Sequence, residues 1–294
     1  MKRGLTAVIM AAVAVSLSAC GGSTAGSTAA SSAVQTDAAD AVSSETEAET
    51  EANEETQAAA EGKVTLAAAA SLEYAFTEKL IPAFEAANPG ITVEGTYDSS
   101  GKLQTQIESG LDADIFFSAA TKQMTALNEE GYVREDTILN YLENKIVLIV
   151  PADSESSLSS FEDIPKAEMI AIGDPESVPV GQYSKEALTN LGIWDGIQDK
   201  VSLGTNVTEV LNWVAEGSAD CGIVYATDAA TTDRVRVVAE APEGALKTPV
   251  VYPVALMKQT EGKDAAAQKF FDYITSDEGF EVFAEYGFAD YRGK

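Results

Sequence analysis

The stretch that decides the fold is Lys63-Val64-Thr65-Leu66-Ala67-Ala68-Ala69-Ala70-Ser71-Leu72. The alternation of Val64 and Leu66 predicts a β-strand, and the small residues after them allow the chain to pass close to a ligand. Ser71 stands where a helix should begin, because apolar residues follow at helical spacing. These residues are Leu72, Ala75, Phe76, Leu80, Ala83 and Phe84. A strand ending at a serine-capped helix N-terminus can bind an anion, although Ser71 taken alone is explained more simply as an N-cap.

The N-terminus has the pattern of a secretion signal. Met1-Lys2-Arg3 gives a short positive start, residues 5–17 are mostly apolar, and Leu17-Ser18-Ala19 places small residues before Cys20. This looks like a bacterial lipoprotein signal peptide, so we predict that residues 1–19 are removed and that Cys20 carries a lipid. The lipid would anchor the protein to the outer face of the cell membrane. The alternative is a chance cysteine after an ordinary secretory signal.

Residues 20–61 have the composition of a tether. Residues 21–61 contain nine Asp or Glu and no Lys, Arg or aromatic residue. Such a segment buries too little apolar surface to offset its chain entropy, so we predict a disordered acidic spacer. A calcium site is disfavoured, because the acids lack the glycine and the spacing of a calcium loop.

Residues 62–294 are enough for one large or two medium domains. The whole chain has 47 acidic and 19 basic residues. The segment 62–294 keeps 38 acidic and 17 basic residues, a net charge of −21. A surface this negative argues against nucleic-acid binding, because it offers no basic stripe for phosphates.

Two features of the composition narrow the chemistry. The sequence has no histidine, which removes Ser-His triads and His-ligated zinc. Cys221 is the one cysteine besides Cys20, so no internal disulfide is expected once Cys20 is lipidated. Cys221 lies in an apolar run and is predicted to be a buried, inert thiol.

Strands and helices alternate along residues 62–294, which predicts an α/β fold with mainly parallel sheets flanked by helices. The βα pattern occurs twice, separated by apolar strands at 146–150 and 250–256. We therefore expect two lobes joined by two crossings, with a cleft between them. Lobe I is predicted to comprise 62–146 and 251–294, and lobe II 147–250.

Several strand-to-helix turns resemble the one at Ser71. They are Ser99-Ser100-Gly101, Val180-Gly181 and Asn206-Val207. Such turns gather at the carboxyl ends of strands, where doubly wound sheets bind ligands. Tyr225 ends its own strand there and offers a phenolic donor, although alone it would more often be a core aromatic. Together they predict a pocket rich in neutral donors, which suits a tetrahedral dianion.

The chain resembles the molybdate-binding proteins of bacterial molybdate ABC importers. The resemblance covers residues 63–288 in order. The stretches that carry it are 68–72, 99–103, 113–119, 173–181, 222–225 and 286–288. Residues 173–181, Gly-Asp-Pro-Glu-Ser-Val-Pro-Val-Gly, followed by Tyr183, are the most specific of these.

The resemblance implies a two-lobed, type II periplasmic-binding-protein-like fold that closes on molybdate or tungstate. It implies oxyanion contacts from Ser71 and Ser100 through hydroxyl and N–H, from Val180 and Val207 through N–H, and from Tyr225 through its phenol. It further implies a monomeric, non-enzymatic solute-binding lipoprotein that serves a membrane ABC permease. No cofactor is expected, and molybdenum or tungsten enters only as the bound oxyanion.

Two departures from the family pattern accompany the resemblance. Val180 stands where many relatives have alanine, and Gly101 replaces a frequent third serine, which removes a possible hydroxyl. Asp174 and Glu176 suggest metal binding, but Pro175 and Pro179 favour a rigid turn instead.

The sequence leaves other functions open. The same scaffold could hold sulfate, phosphate or an organic anion. An organic carboxylate would need an arginine clamp, however, and Arg134, Arg234 and Arg236 fall away from the predicted turns. A hydrolase with Ser71 or Ser100 as nucleophile would need Lys or a carboxylate as its base, since no histidine exists.

Overall fold

The structure is a computed structural model, and it describes residues 62–260 and 265–294. The predicted signal peptide, the lipidated Cys20 and the acidic tether lie outside the described residues. Within the described ranges, no helix combines the length and the apolar character that crossing a membrane requires.

The first sheet has six strands in the order β11-β4-β10-β3-β1-β2. Strands β1, β2 and β3 are mutually parallel, whereas β10 runs antiparallel to both β3 and β4, and β11 antiparallel to β4. The strands are β1 (Gly62–Ala69), β2 (Ile91–Asp98), β3 (Ile115–Phe117), β4 (Leu139–Asn144), β10 (Val250–Leu256) and β11 (Ala289–Asp290).

The second sheet has five strands in the order β7-β6-β8-β5-β9. Strand β6 pairs parallel with β7 and β8, and β5 pairs antiparallel with β8 and β9. The strands are β5 (Ile146–Pro151), β6 (Ile170–Gly173), β7 (Val201–Gly204), β8 (Cys221–Tyr225) and β9 (Val235–Glu240).

The chain crosses between the sheets twice. Only Lys145 separates β4 from β5, and the return runs from β9 to β10. Ile146 already pairs with Tyr225 of the second sheet, and Val250 already pairs with Asn144 of the first. We therefore propose lobe boundaries one residue earlier at each crossing than the sequence suggests.

Helices flank both sheets. They are α1 (Glu73–Ala75), α2 (Ile81–Ala87), α3 (Ser100–Glu108), α4 (Thr121–Glu129), α5 (Pro179–Asn190), α6 (Val207–Ala215), α7 (Ala226–Ala229), α8 (Ala265–Thr275) and α9 (Asp277–Glu285). A π-helical segment, Phe76–Leu80, joins α1 to α2. Short 3₁₀ turns occupy Ala70–Leu72, Glu135–Thr137, Phe161–Lys166, Trp194–Gly196, Gln198–Lys200 and Lys258–Thr260.

An aromatic cluster fixes the C-terminal helix α9 on the first sheet. The Phe283 ring lies 5.6 Å from Phe76, 5.7 Å from Phe117 and 5.8 Å from Tyr141, between ring centroids. These contacts are edge-to-face, the arrangement that aromatic quadrupoles favour. The C-terminal segment therefore completes the core of the lobe that begins with β1.

The helix predicted after the first strand forms, with one difference in phase. Leu72, Ala75, Phe76, Leu80 and Phe84 are buried as expected, whereas Ala83 is exposed. The π segment has a wider turn than an α-helix, which rotates the residues after it.

Two helices begin earlier than the sequence pattern predicts. The apolar spacing predicts helices from Lys102 and from Gln182, whereas α3 begins at Ser100 and α5 at Pro179. Proline suits a first helical position, because its fixed φ is helical and the missing N–H would have had no partner there. Val180 therefore lies in the first turn of α5 rather than in a preceding loop.

Candidate functional site

The structure brings all five predicted site residues to one small cavity. Ser71 and Ser100 approach it from the first sheet, and Val180, Val207 and Tyr225 from the second. The space in the cavity that a water-sized sphere can reach is about 10 Å³. This is far below the roughly 300–1,000 Å³ of pockets for drug-sized ligands, so the cavity excludes an organic ligand of that size.

Three helices begin at this cavity. Ser100 is the first residue of α3, Val180 the second of α5 and Val207 the first of α6. Backbone N–H groups in a first helical turn have no partner within the helix, and the helix dipole adds partial positive charge there. Asn206 fixes the start of α6, because its side chain accepts a hydrogen bond from the Glu209 N–H at 2.9 Å. The three starts present fixed donors without a cationic side chain.

Ser71 does not cap a helix, and this part of the prediction is wrong. It lies inside the 3₁₀ turn Ala70–Leu72, whose N-cap is Ala69 and has no side-chain cap. Its hydroxyl lies 3.0 Å from the Tyr252 hydroxyl instead. The chain winds into the tight turn one residue before Ser71, which turns the side chain towards the strands and away from the helix start.

Ser100 is fully buried, and its hydroxyl has a defined partner. The Ser100 Oγ accepts a hydrogen bond from the Ala119 N–H at 2.9 Å, which leaves its own proton for another acceptor. The neighbouring Ser99 also lines the cavity, and its buried Oγ has no hydrogen-bond partner among the described residues. Buried hydroxyls normally find a partner, so Ser99 offers a further donor that the sequence did not single out.

Tyr225 lies at the end of β8 and is buried. Its hydroxyl is 3.5 Å from the Ala119 carbonyl oxygen, at the limit of a hydrogen bond. Burial raises the pKa of Tyr225 well above its ordinary value, and the proximity of Tyr252 adds to this. The phenol therefore stays protonated near neutral pH and can donate to a closer acceptor.

Asp98 is the charged residue on the cavity wall, and within the described ranges no lysine or arginine lines it. The Asp98 Oδ1 accepts from the Ser99 N–H at 2.7 Å and from the Lys102 ammonium at 3.3 Å. It also lies 3.4 Å from the Asn206 amide nitrogen. These donors offset the carboxylate charge beside a site whose other groups are neutral.

The two lobes contact each other directly beside the cavity. The Gly101 N–H of α3 donates to the Ser177 carbonyl oxygen, before α5, at 3.0 Å. A Cβ at position 101 would lie 2.3 Å from that oxygen and 2.8 Å from the Ser177 Cα. Glycine at this position is therefore what allows the two loops to approach, a role that differs from the lost hydroxyl expected from the sequence.

The remaining chemical groups fit a binding role. Cys221 is buried, and burial raises the pKa of its thiol to about 12, as expected of an inert cysteine. Asp174 accepts from the Glu176 N–H at 3.0 Å within its own turn. Among the described residues, no three Cys, Asp or Glu side chains are grouped to hold a metal ion.

Sequence reasoning missed Asp98, Ser99, Asn144 and Tyr252. Ser99 belongs to the predicted turn Ser99-Ser100-Gly101, in which Ser100 alone is assigned a contact. Asp98 comes directly before this turn and has no predicted role. Asn144 and Tyr252 lie in strands next to the interlobe crossings, and only the pairing of β4 with β10 brings them behind Ser71.

Comparisons with known proteins agree with this geometry. A "putative ABC transporter substrate-binding lipoprotein", YvgL of Bacillus subtilis, is 41% identical over 230 residues, covering 78% of this chain and 87% of that one. The molybdate-binding protein ModA of Haemophilus influenzae is 38% identical, covering 79% and 91%. The solved "substrate binding domain of putative molybdenum ABC transporter from Clostridium difficile" is 38% identical, with a TM-score of 0.59, and covers 77% and 97%.

Two sheets flanked by helices, with a small cavity lined by hydrogen-bond donors between them, are the architecture of a two-lobed solute-binding protein. The profile described as "Bacterial extracellular solute-binding protein" matches residues 64–289. The chain belongs to this family. The predicted fold class and the resemblance to molybdate-binding proteins are both confirmed. The family is one of solute-binding proteins and not of enzymes.

Proposed function

We propose that the protein captures molybdate or tungstate outside the cytoplasm and delivers it to an ABC importer. The observation that carries the proposal is the donor set of the cavity. Three helix starts and four hydroxyl-bearing residues converge on one small space. Each neutral donor can form a charge-assisted hydrogen bond with an oxyanion.

A neutral donor set also explains how so acidic a chain can hold a dianion. The chain has a formal net charge of −28, and a lysine or arginine clamp is absent from the described cavity wall. Fixed N–H dipoles stabilise the anion without the desolvation of a buried cation. Closure of the lobes over the ion would present the liganded form to the permease.

The proposal extends to the parts of the chain that the structure does not describe. Cleavage before Cys20 and lipidation of its thiol would fix the protein to the outer face of the cell membrane. Residues 21–61 would give the binding lobes reach towards the permease. The protein would act as a monomer, since one chain contributes both walls of the cavity.

A second oxyanion is favoured by one specific residue. Asp98 lines the cavity, and a carboxylate can accept a hydrogen bond from a protonated oxyanion such as hydrogen phosphate. Against this, its Oδ1 already accepts from the Ser99 N–H and Lys102. Sulfate matches the donor set in charge and shape, so the size of the cavity must separate it from molybdate.

Calorimetric titration of the mature chain with molybdate, tungstate, sulfate and phosphate tests the proposal. We expect tight binding of molybdate and tungstate and at least hundredfold weaker binding of sulfate and phosphate, because the fixed donors match only one anion size. Tight binding of sulfate or phosphate with no heat from molybdate would refute the assignment.

Replacement of either serine should weaken molybdate binding. Ser71→Ala and Ser100→Ala are each expected to cost about 1.5–3 kcal/mol, the range for a hydrogen bond to a charged partner. Exposed Ser157→Ala, outside the cavity, is the control. Unchanged affinity in both cavity variants would remove these serines from the site.

The structure argues against the hydrolase alternative. The Ser71 hydroxyl contacts Tyr252, and burial raises the pKa of that phenol well above its ordinary value, so it stays protonated near neutral pH and cannot take the serine proton as a general base. Lys102, the candidate base near Ser100, pairs with Asp98 at 3.3 Å. An esterase screen of the wild-type protein and Ser71→Ala tests this, and serine-dependent turnover would reopen it.

A further inference from the structure

A chain of hydrogen bonds leads away from Ser71 into the protein. The Ser71 hydroxyl lies 3.0 Å from the Tyr252 hydroxyl, and the Asn144 Nδ2 lies 3.3 Å from the same phenol oxygen. The Asn144 Nδ2 also donates to the Thr227 Oγ1 at 2.9 Å. Tyr252 is fully buried, and Asn144 and Thr227 are nearly so. The arrangement lies at the crossing between the two lobes.

The orientation of the Asn144 amide is fixed. Its Oδ1 accepts a hydrogen bond from the Lys145 N–H at 2.8 Å, which places the Nδ2 towards Tyr252 and Thr227. An amide nitrogen has two protons and accepts no hydrogen bond. Tyr252 is therefore an acceptor towards Asn144.

The direction of the remaining contact follows. Distance alone allows either hydroxyl of the Ser71–Tyr252 pair to donate. The Tyr252 oxygen accepts from Asn144 and also has a hydrogen-bond contact with the Tyr225 phenol, which leaves the Tyr252 proton to be donated to Ser71 or to Tyr225. If Ser71 accepts that proton, its hydroxyl hydrogen is left to point into the cavity. In the reverse direction, the Ser71 hydroxyl would donate its proton to Tyr252, and a lone pair of the Ser71 oxygen would face the ligand.

We propose that Asn144 is a positioning residue that, through Tyr252, holds the Ser71 hydroxyl as a donor to the bound anion. The inference rests on the proposed oxyanion-binding function and deepens it. Ser100 has the same arrangement by another route, since its oxygen accepts from the Ala119 N–H. Both serines thus present protons, so a ligand O–H would find no acceptor at these two contacts.

Asn144→Asp should reverse the direction of the hydrogen bonds that run from Asn144 through Tyr252 to Ser71, here called the relay, with little change in shape. An aspartate can still accept from the Lys145 N–H, but its second oxygen would accept the Tyr252 proton. Ser71 would then have to donate to Tyr252 and would lose its donor to the anion. We expect molybdate affinity to fall by at least tenfold, about the value of one charge-assisted hydrogen bond.

A double-mutant cycle separates this effect from simple charge repulsion. Molybdate affinity is measured by calorimetry for wild type, Ser71→Ala, Asn144→Asp and the double variant. The relay predicts that Asn144→Asp costs at least fivefold less affinity in the Ser71→Ala background than in the wild type. Equal losses in both backgrounds would overturn it, since repulsion by a new carboxylate does not depend on the Ser71 hydroxyl.

A second cycle keeps the test valid if Asn144→Asp unfolds, as judged by its thermal midpoint. Tyr252→Phe removes the phenol that links the two residues and keeps the ring. It should weaken binding a few-fold in the wild type and leave Ser71→Ala unchanged, whereas equal losses would refute the relay. Failure of the wild-type protein to bind molybdate would instead refute the proposed function, so the two failures are distinguishable.

Discussion

Gly101→Val is expected to weaken molybdate binding by roughly a hundredfold while leaving the unliganded protein folded. A Cβ at position 101 would lie 2.3 Å from the Ser177 carbonyl oxygen, and all three Ser177 atoms that it meets belong to the backbone. Relief therefore requires the two loops to separate. Overpacking of this kind costs about 1–3 kcal/mol, and the upper value corresponds to about a hundredfold.

The loss should appear in ligand affinity rather than in stability. Gly101 belongs to α3 and Ser177 precedes α5, so they meet only where the lobes approach each other. A more open arrangement of the lobes would relieve the clash in the absence of ligand. Calorimetry with molybdate and thermal unfolding without it separate the two effects.

Gly196→Val is the matched control. A Cβ at Gly196 has no heavy atom within 4 Å, and this glycine lies in a 3₁₀ turn away from the cavity. It should bind molybdate like the wild type. Wild-type affinity in Gly101→Val would show that the Gly101–Ser177 contact is not needed for binding.

The members of the cavity wall could be predicted from the sequence because each lies where one secondary-structure element ends and the next begins. Ser100 and Val207 stand where a strand gives way to a helix, and Tyr225 ends a buried strand. Such events are encoded by neighbours in the chain, through caps and changes of periodicity. Sheet topology then gathers these positions at one edge.

The contacts of Tyr252 and Asn144 behind Ser71 could not be predicted, because they depend on the register of strands that are far apart in the sequence. In the sequence, Tyr252 is one of several apolar residues of a predicted strand. Asn144 is the last residue of β4, a strand that its polar side chains made hard to predict. Their meeting requires β4 to pair with β10 and a shift of register beside Tyr252. Strand β7 is also hard to predict, because it is only four residues long and its Leu203 is exposed to solvent.

The reversal at Ser71 shows the limit of local signals. Serine followed by helical periodicity favours an N-cap, and the rule is sound for an isolated helix. Here the helical turn begins one residue early, and a buried tyrosine from β10 offers the hydroxyl a partner. A tertiary contact therefore decides what this side chain does.

Asp228→Asn is expected to stabilise the protein increasingly as the pH rises from 5 to 8. Asp228 is 5% exposed, and its Oδ2 has no hydrogen-bond partner within the described part of the chain. Burial raises the pKa of this carboxyl from 3.8 to about 7, against the smaller lowering by its own backbone N–H and Thr227. The folded protein therefore binds a proton that the unfolded chain releases.

The sign follows from proton linkage. Between the unfolded pKa near 4 and the folded pKa near 7, the wild-type protein loses about 1.4 kcal/mol of stability per pH unit through this group. Above the folded pKa both states are ionised, and the dependence ends. Asparagine does not titrate. The free energy of unfolding of Asp228→Asn minus that of the wild type should thus grow by about 3 kcal/mol from pH 5 to pH 8.

Urea unfolding of both proteins at each pH measures this difference, in which all other titrating groups cancel. Exposed Asp233→Asn, from the same region of the chain, is the control for the replacement of an aspartate by an asparagine. The amide at position 228 adds a constant offset to the whole curve, since its NH₂ replaces an oxygen without a partner, and a constant offset leaves the slope intact. A pH-independent difference for Asp228→Asn would show that the carboxyl is ionised in the folded protein at pH 5, and hence that water or a rearranged donor reaches its Oδ2.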